Sequence, residues 1–214
     1  IDFCCNGNRS IEEACNKKQI ESHALIAQLD RVAAQTRESG ADYNSWPLDL
    51  MADYIEKKHH RYVENKIQEI TPFLEKVARV HGDRHPELNE IRQLFDASAG
   101  ELTAHMKKEE QILFPFIRKM VAAQNQNTTV QAPFGTVQNP IQMMMHEHEN
   151  EGERFRKIAA LTDNYTPPED ACNTYRVTFF LLKEFEEDLH LHIHLENNIL
   201  FPKSIAIEAS LVTA

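Results

Sequence analysis

The 214-residue chain lacks any long hydrophobic run. A membrane-spanning helix needs about 18 or more consecutive apolar residues, so we expect no membrane span and no membrane partner. No signal-peptide pattern is visible, and a cytoplasmic location is therefore expected. The chain starts at Ile1 without Met, so its true start is expected to be either cut away or disordered. An excess of positive charge is also missing. The net charge of −10 argues against nucleic acid as the main partner.

Cysteine is scarce and irregularly placed. Four Cys without a regular framework argue against a disulfide-stapled secreted domain, and none has the spacing of a structural zinc site. Cys15 and Cys172 are expected to pack as small apolar residues. The adjacent Cys4 and Cys5 seldom bridge each other, because the ring would be strained. They are two reduced thiols in a loop, a redox pair, or a docking site for a thiol-binding partner.

Histidine, by contrast, is abundant, and two of the eleven His begin a repeated stretch. His105-Met-Lys-Lys-Glu109 and His192-Ile-His-Leu-Glu196 are each followed by two residues and then Ile-Leu-Phe-Pro. Positions i and i+4 share one face of a helix, so each copy points an imidazole and a carboxylate in the same direction. A two-metal site in a four-helix bundle needs two such pairs.

The hydrophobic pattern predicts an all-α fold with two parts. Residues 1–40 form a small N-terminal segment with a capping box at Ser10 and Glu13, and residues 48–205 form an up-down-up-down four-helix bundle. The second bundle helix is expected to kink at Pro115. The fourth is expected to begin at a capping box formed by Thr166 and Glu169.

Each bundle helix is predicted to carry one inward His. On the first helix, His59 falls on the apolar stripe between Ile55 and Tyr62, whereas His60 groups with Glu64 on the polar face. A single inward His is more often a satisfied core residue, but four helices that each carry one favour a joint site. The candidate ligands are His59, His105, Glu109, His148, His192 and Glu196. The remaining His near them are expected to face away from the site: His146, His190 and His194.

Two further glutamates lie near the site by their spacing, Glu101 and Glu147. They are either solvated or orient the His ligands.

Four imidazoles and two carboxylates define the chemistry of this site. Burying them without compensation would cost many kcal/mol, and two cations remove that cost. A ligand set without thiolate suits iron, manganese or zinc. Two shared Glu indicate carboxylate bridges, with two His completing each metal and open positions left for oxo bridging, small molecules or metal release.

These motifs resemble the repair-of-iron-centres family of di-iron, haemerythrin-like iron–sulfur cluster repair proteins. The resemblance is carried by Asp2-Phe3-Cys4-Cys5, both His-x-x-x-Glu stretches with their Ile-Leu-Phe-Pro, Glu147-His148-Glu149 and Thr166-Pro167-Pro168. It implies two non-haem iron ions, oxo- and carboxylate-bridged, held by the six candidate ligands. It also implies that Cys4 and Cys5 belong to a small N-terminal domain, here partly missing. The chain departs from the family at Asn6-Gly7, where the family has Gly-Gly.

The resemblance implies repair of clusters damaged by nitric oxide or peroxide through donation of iron to damaged or apo iron–sulfur proteins. Reduction of nitric oxide at the metal pair is the enzymatic alternative, so whether the protein is an enzyme stays open. Binding of oxygen or nitric oxide is the third hypothesis, although oxygen carriers of this type use five His where four are predicted here. The N-terminal segment could also join two copies into a homodimer.

Overall fold

The computed structural model describes residues 10–35 and 41–212, and every regular element within these ranges is a helix. The all-α prediction is confirmed. None of the described helices combines the length and the apolar character that crossing a membrane requires. Cys4 and Cys5 lie outside the described residues.

Two short helices precede the bundle, α1 (Ile11–Lys18) and α2 (Ser22–Gln35). The predicted capping box is present at the start of α1. Ser10 Oγ accepts the Glu13 N–H at 3.1 Å, and the Glu13 carboxylate accepts the Ser10 N–H at 2.9 Å. A 3-10 turn at Tyr43–Ser45 then leads into the first bundle helix.

Four bundle helices follow, and three of them contain a π-helical segment. The first comprises α3 (Leu48–Tyr54), π1 (Ile55–His60) and α4 (Arg61–His81). The second comprises α5 (Glu87–Lys108), π2 (Glu109–Leu113) and α6 (Phe114–Gln126). The third is α7 (Gln138–Leu161), and the fourth comprises α8 (Asn173–Leu195), π3 (Glu196–Leu200) and α9 (Phe201–Val212). Helix α4 packs against α5 and α8, and α5 packs against α7 in the four-helix bundle.

Proline explains two of the three π segments. Pro115 and Pro202 are each the second residue of the α-helix that follows π2 or π3. A proline ring clashes with the carbonyl four residues earlier and has no N–H for it, so a regular α-turn is unfavourable there. The wider π-turn accommodates this clash without ending the helix.

The fourth bundle helix begins later than the capping-box pattern predicts. Helix α8 starts at Asn173, with Cys172 as its N-cap, so the predicted start at Thr166 is wrong. Thr166 precedes Pro167, and Pro167 precedes Pro168. The residue before a proline is pushed out of the α region, which prevents a helical first turn at this point.

Cys15 is buried, as expected for a small apolar residue, but Cys172 is exposed. The prediction for Cys172 is therefore wrong, because the N-cap position lies at the surface end of the helix.

The bundle contains two hydrophobic cores. The larger, here called the α4 core, joins α4, α5, α7 and α8 around Phe95, Phe155 and Phe185. The second, called the α6 core, joins α3, α6, the start of α7 and α9 around Ile117 and Met120. A layer of buried polar side chains lies between the two cores, since each bundle helix leaves one core and enters the other near the predicted ligands.

Candidate metal centre

Six buried side chains from all four bundle helices converge between the two cores. They form two groups of four residues, and in each group one donor atom per residue lies within 4.8 Å of the others. The first group is His60, Glu109, His192 and Glu196. The second group is His105, Glu109, His148 and Glu196. Both carboxylates therefore belong to both groups.

The imidazoles approach the carboxylates through their Nε2 atoms. Around Glu109, the distances to Oε2 are 3.4 Å from His60 Nε2 and 3.3 Å from His105 Nε2. Around Glu196, His148 Nε2 lies 3.1 Å from Oε2 and His192 Nε2 lies 3.2 Å from Oε1. The Nε2 atoms of His105 and His148 are only 3.0 Å apart. Such crowding of donor atoms is the geometry expected around a shared cation.

Three of the four imidazoles are oriented by a polar partner at Nδ1. His60 Nδ1 lies 2.9 Å from Glu110 Oε1, His105 Nδ1 lies 2.7 Å from Glu147 Oε2, and His148 Nδ1 lies 2.9 Å from Asn197 Oδ1. An Nδ1–H that donates to these acceptors leaves the Nε2 lone pair free to bind a metal. For His192 Nδ1 the described residues supply no partner.

Both central carboxylates are held in the ionised form. Burial opposes ionisation of Glu109, but the His105 imidazole keeps the pKa of this carboxyl below its usual value. Burial opposes ionisation of Glu196 as well, and His192 keeps the pKa of Glu196 well below its usual value. The two carboxylates therefore carry negative charge, which a bound cation would balance in place of the Nε2 proton of His105.

The pKa values of the imidazoles are shifted by burial and by the nearby carboxylates. Burial alone would lower the pKa of His105, but the carboxylates of Glu109 and Glu147 raise it to about 10. Burial would lower the pKa of His60 too, and Glu109 raises it. At His192 burial dominates and lowers the pKa.

The donor atoms are suited to a metal because several of them have no hydrogen-bond partner among the described residues. Both carboxylate oxygens of Glu109 and of Glu196, together with Nε2 of His60 and of His192, are buried without a hydrogen-bond partner among the described residues. A buried unsatisfied polar atom costs about 1–3 kcal/mol, and more when it is charged. Cations would satisfy these atoms together, and imidazole with carboxylate suits iron, manganese or zinc.

The structure changes the predicted contribution of the first bundle helix. His60 is 0% exposed and belongs to a donor group, so its predicted place on the polar face is wrong. His59 is also fully buried but is in neither group; its Nδ1 lies 3.0 Å from Asp188 Oδ2. The cause is π1, because its wider turn adds a residue between Ile55 and the site and rotates the following side chains.

In sequence, His59 lies next to the inward His of the first bundle helix, as Glu147 does on the third. Each residue immediately precedes the inward His of its helix, His60 or His148. Glu147 contacts His105 Nδ1, whereas the His59 ring stacks against His192 with centroids 5.6 Å apart and planes at 15°. The first bundle helix thus places an imidazole face, rather than a carboxylate, beside His192.

The two glutamates expected near the site have different environments. Glu147 contacts His105 and also pairs with Lys108. The side chain of Glu101 is 58% exposed and pairs with Arg154 at 2.8 Å. Of the two, Glu147 is the one that touches a predicted ligand.

Sequence reasoning missed Glu110 and Asn197 as orienting residues. Each directly follows the Glu of a His-x-x-x-Glu stretch and contacts a His on the preceding bundle helix. Their shared position in the two copies is a signal that could have identified them. The remaining His face away as expected: His146 is exposed, and His190 and His194 are half-buried outside both donor groups.

A cavity of about 340 Å³ opens beside one donor group. It lies between the second and third bundle helices, and its lining includes His105, His148, Glu147 and Lys108. The second donor group therefore has space for a small molecule or ion on one side.

Comparison with known proteins agrees with this geometry. The model of the Hemerythrin HHE cation binding domain matches residues 51–204, and the model of the Domain of Unknown function DUF542 matches residues 1–33. The chain is 37% identical over 205 residues to the iron-sulfur cluster repair protein YtfE of Yersinia pseudotuberculosis serotype O:1b, covering 96% of this chain and 87% of the relative. It is 36% identical over 209 residues to the protein of that name from Musicola paradisiaca, covering 98% and 88%. The chain thus belongs to the haemerythrin HHE cation-binding family and, within it, to the family of the iron–sulfur cluster repair proteins.

Proposed function

We propose that the protein repairs iron–sulfur clusters damaged by nitrosative or oxidative stress by donating iron from a di-iron centre. The observation that carries this proposal is the pair of buried donor groups that share Glu109 and Glu196. The relatives named as iron–sulfur cluster repair proteins match nearly the whole chain, which supports the same role here.

Six residues would hold the two irons: His60, His105, Glu109, His148, His192 and Glu196. The shared position of Glu109 and Glu196 supports carboxylate bridging, and two His would complete each iron. His60 replaces His59 in this proposed ligand set. Bound iron supplies the cargo for repair and a redox-active ion, while Glu110, Glu147 and Asn197 hold the imidazoles in place. Iron analysis with an absorption spectrum tests the oxo-bridged di-iron composition.

The proposed donation is tested by direct transfer. The iron-loaded protein is mixed anaerobically with an apo iron–sulfur protein, sulfide and a reductant, and the rise of the cluster absorption band is followed. We expect cluster formation that tracks the loss of iron from this protein. An iron chelator too large to enter the bundle separates direct transfer from iron that is first released to solution.

Matched variants make the transfer experiment specific. Glu196→Leu removes a shared carboxylate and should abolish both iron loading and transfer. His146→Gln, on the exposed face of the third bundle helix, should leave both unchanged. Absence of transfer from fully iron-loaded protein would refute iron donation while leaving the di-iron centre intact.

Nitric oxide chemistry is the second candidate, supported by the cavity of about 340 Å³ beside His105 and His148. A small gas molecule fits this space and would reach one donor group. Anaerobic single-turnover gas analysis with the reduced iron protein decides it: nitrous oxide indicates reduction, and a spectral change without nitrous oxide indicates binding only. Oxygen binding is tested in the same way, by a stable oxygenated spectrum.

The remaining parts of the proposal concern organisation. We retain a division into an N-terminal Cys4–Cys5 domain at 1–40 and a bundle at 48–205, with homodimer formation through the N-terminal segment. Exposed apolar side chains on α1 and α2, such as Ile11, Leu29 and Val32, are compatible with such a contact. A cytoplasmic location is also proposed, because free thiols such as Cys15 and Cys172 are typical of a reducing compartment.

A further inference from the structure

A thiol and an imidazole meet at the end of the bundle that lies away from the metal centre. Helix α4 ends at His81, and Cys172 is the N-cap of α8. His81 Nε2 lies 3.3 Å from Cys172 Sγ. Because a helix rises about 1.5 Å per residue, Cys172 is about 30 Å from His192 along the same helix. The pair is therefore separate from the donor groups.

The two members of the pair differ in exposure. His81 is 5% exposed, whereas Cys172 is exposed to solvent. Within residues 10–35 and 41–212, Cys172 Sγ is the hydrogen-bond partner of the His81 ring, and Nδ1 has none. The ring also packs against Tyr175, with centroids 5.3 Å apart. A buried imidazole is thus directed at the sulfur of an exposed residue.

The missing partner at Nδ1 determines which nitrogen carries the hydrogen. A hydrogen on Nδ1 would be a buried N–H without an acceptor, which is unfavourable. A hydrogen on Nε2 can instead donate to the Cys172 sulfur. Donation to sulfur stabilises the thiolate more than the thiol, since the charged form is the stronger acceptor.

The start of α8 acts in the same direction. Cys172 has extended backbone angles (φ −74°, ψ 170°), and its side chain makes no capping hydrogen bond to the helix. The sulfur nevertheless lies at the N-terminus of a 23-residue helix, where the helix dipole stabilises negative charge. The neighbouring carboxylate of Asp170 is compensated by Arg84 at 2.7 Å and by His85 at 3.0 Å.

From this geometry we infer that Cys172 is a reactive thiol that exchanges with low-molecular-weight disulfides, with His81 as its positioning residue. Cys172 first loses its proton to water and becomes a thiolate that accepts the Nε2–H of His81. The thiolate then attacks one sulfur of the disulfide, forming a mixed disulfide and breaking the original S–S bond. The departing thiolate takes up a proton from water, so the disulfide is reduced and Cys172 is oxidised.

The test uses the full chain and oxidised glutathione as the probe. Modification at each Cys is followed over time by peptide mass spectrometry, which separates Cys172 from Cys4, Cys5 and Cys15. We expect His81→Gln to slow modification of Cys172 at least fivefold at neutral pH, and Cys172→Ser to abolish the modified peptide. His146→Gln is the control, because His146 is exposed on α7 and contacts Asn150, away from the sulfur.

Two further measurements separate positioning from simple structural damage. The unfolding temperature of His81→Gln shows whether that variant is folded. The modification rate of Cys15 in the same digests is the second measurement, because Cys15 is buried and would react faster only if the variant loosened the fold. His81→Gln should slow Cys172 and leave Cys15 unchanged. Equal Cys172 rates in folded wild-type and variant protein would overturn the inference, as would wild-type Cys172 that does not react.

Discussion

The imidazoles of His59 and His60 are adjacent in sequence and equally buried, but they serve different neighbours. His60 approaches Glu109 and is oriented by Glu110, while His59 is held by Asp188 and stacks on His192. A stacked imidazole supports the position of a ligand without supplying a donor atom to the centre. His60 should therefore matter for metal content, and His59 for stability.

We predict that His60→Ala lowers bound metal by about one ion per chain, because one donor group loses an imidazole. His59→Ala should keep its metal but lower the unfolding free energy by about 2–4 kcal/mol, since it leaves a cavity and an unpaired Asp188. Metal analysis of folded, gel-filtered protein and chemical denaturation measure the two effects. A larger metal loss in His59→Ala than in His60→Ala would reverse the assignment.

Asn197 and Asn198 offer a matched pair on π3. Asn197 is buried and accepts from His148 Nδ1, whereas Asn198 is exposed and contacts His194 at 2.9 Å. We predict that Asn197→Ala weakens metal affinity about 10–100-fold, the usual cost of losing a residue that orients a ligand. Asn198→Ala should leave affinity unchanged. Competition with a chelator of known affinity measures both, and equal affinities would show that Asn197 does not orient His148.

The sequence located Glu109 and Glu196 because a His-x-x-x-Glu spacing on a helix determines a shared face. It could not locate the partners of the imidazoles, since Glu110 and Asn197 contact His residues on other helices. Contacts between helices depend on the rotation of each helix about its axis, which a stripe of apolar residues determines only approximately. His59 and His60 differ by one position, and the uncertainty in the rotation of the first bundle helix was enough to predict the wrong one as the ligand.

Among the helices, π1, π2 and π3 place the ligands at the points where helical geometry is least regular. His60 ends π1, while Glu109 and Glu196 begin π2 and π3. Wide turns have less favourable hydrogen bonding than α-turns and recur at functional sites. Metal ions bound by these side chains should therefore stabilise the wide turns.

We predict that metal loading slows amide hydrogen exchange most strongly in the three π segments. The metal-free protein lacks the bonds that hold these turns in place, so they should open more readily than the neighbouring α-helical turns. The middle of α4, at Leu74 and Val77, lies away from the centre and is the internal reference. Equal slowing at Leu74 and Val77 and in the π segments would indicate general stabilisation instead of a local effect.

The irregular helices were only partly predictable. Pro115 indicated a disturbance in the second bundle helix, and its position after π2 explains the form that the disturbance takes. Pro72 has the same chemistry yet lies inside the continuous helix α4. No proline accompanies π1, so local sequence gave no sign of the turn that decides between His59 and His60.

For the molecule as a whole, the polar layer divides the bundle into the α4 core and the α6 core. The atoms of this layer that lack hydrogen-bond partners would be satisfied by metal. Without metal, the layer contributes buried charge and little attraction between the cores. Cooperativity between the two halves should therefore depend on the metal.

We predict that chelation changes thermal unfolding from one transition into two. In the metal-free protein, Phe95→Leu should lower the transition of the α4 core, and Met120→Ala that of the α6 core, because each removes packing from one cluster. In the metal-loaded protein both variants should shift a single transition. Calorimetry measures these profiles. A single transition in metal-free protein would show that the cores are coupled without metal.

The fold class could be predicted because apolar stripes at helical spacing recur along residues 48–205 with short connections between them. The division into two cores could not, since it depends on which stripe residues face each other across the bundle.

The extra residue in π1 also matters when this chain is aligned with others. A relative whose first bundle helix is α-helical throughout would have one residue fewer between its apolar stripe and its ligand. The alignment then needs a one-residue gap within Ile55–His60, because Leu48 and His60 cannot both match without it. An ungapped alignment would pair the ligand of that relative with His59, so the gap has to be placed from the structure.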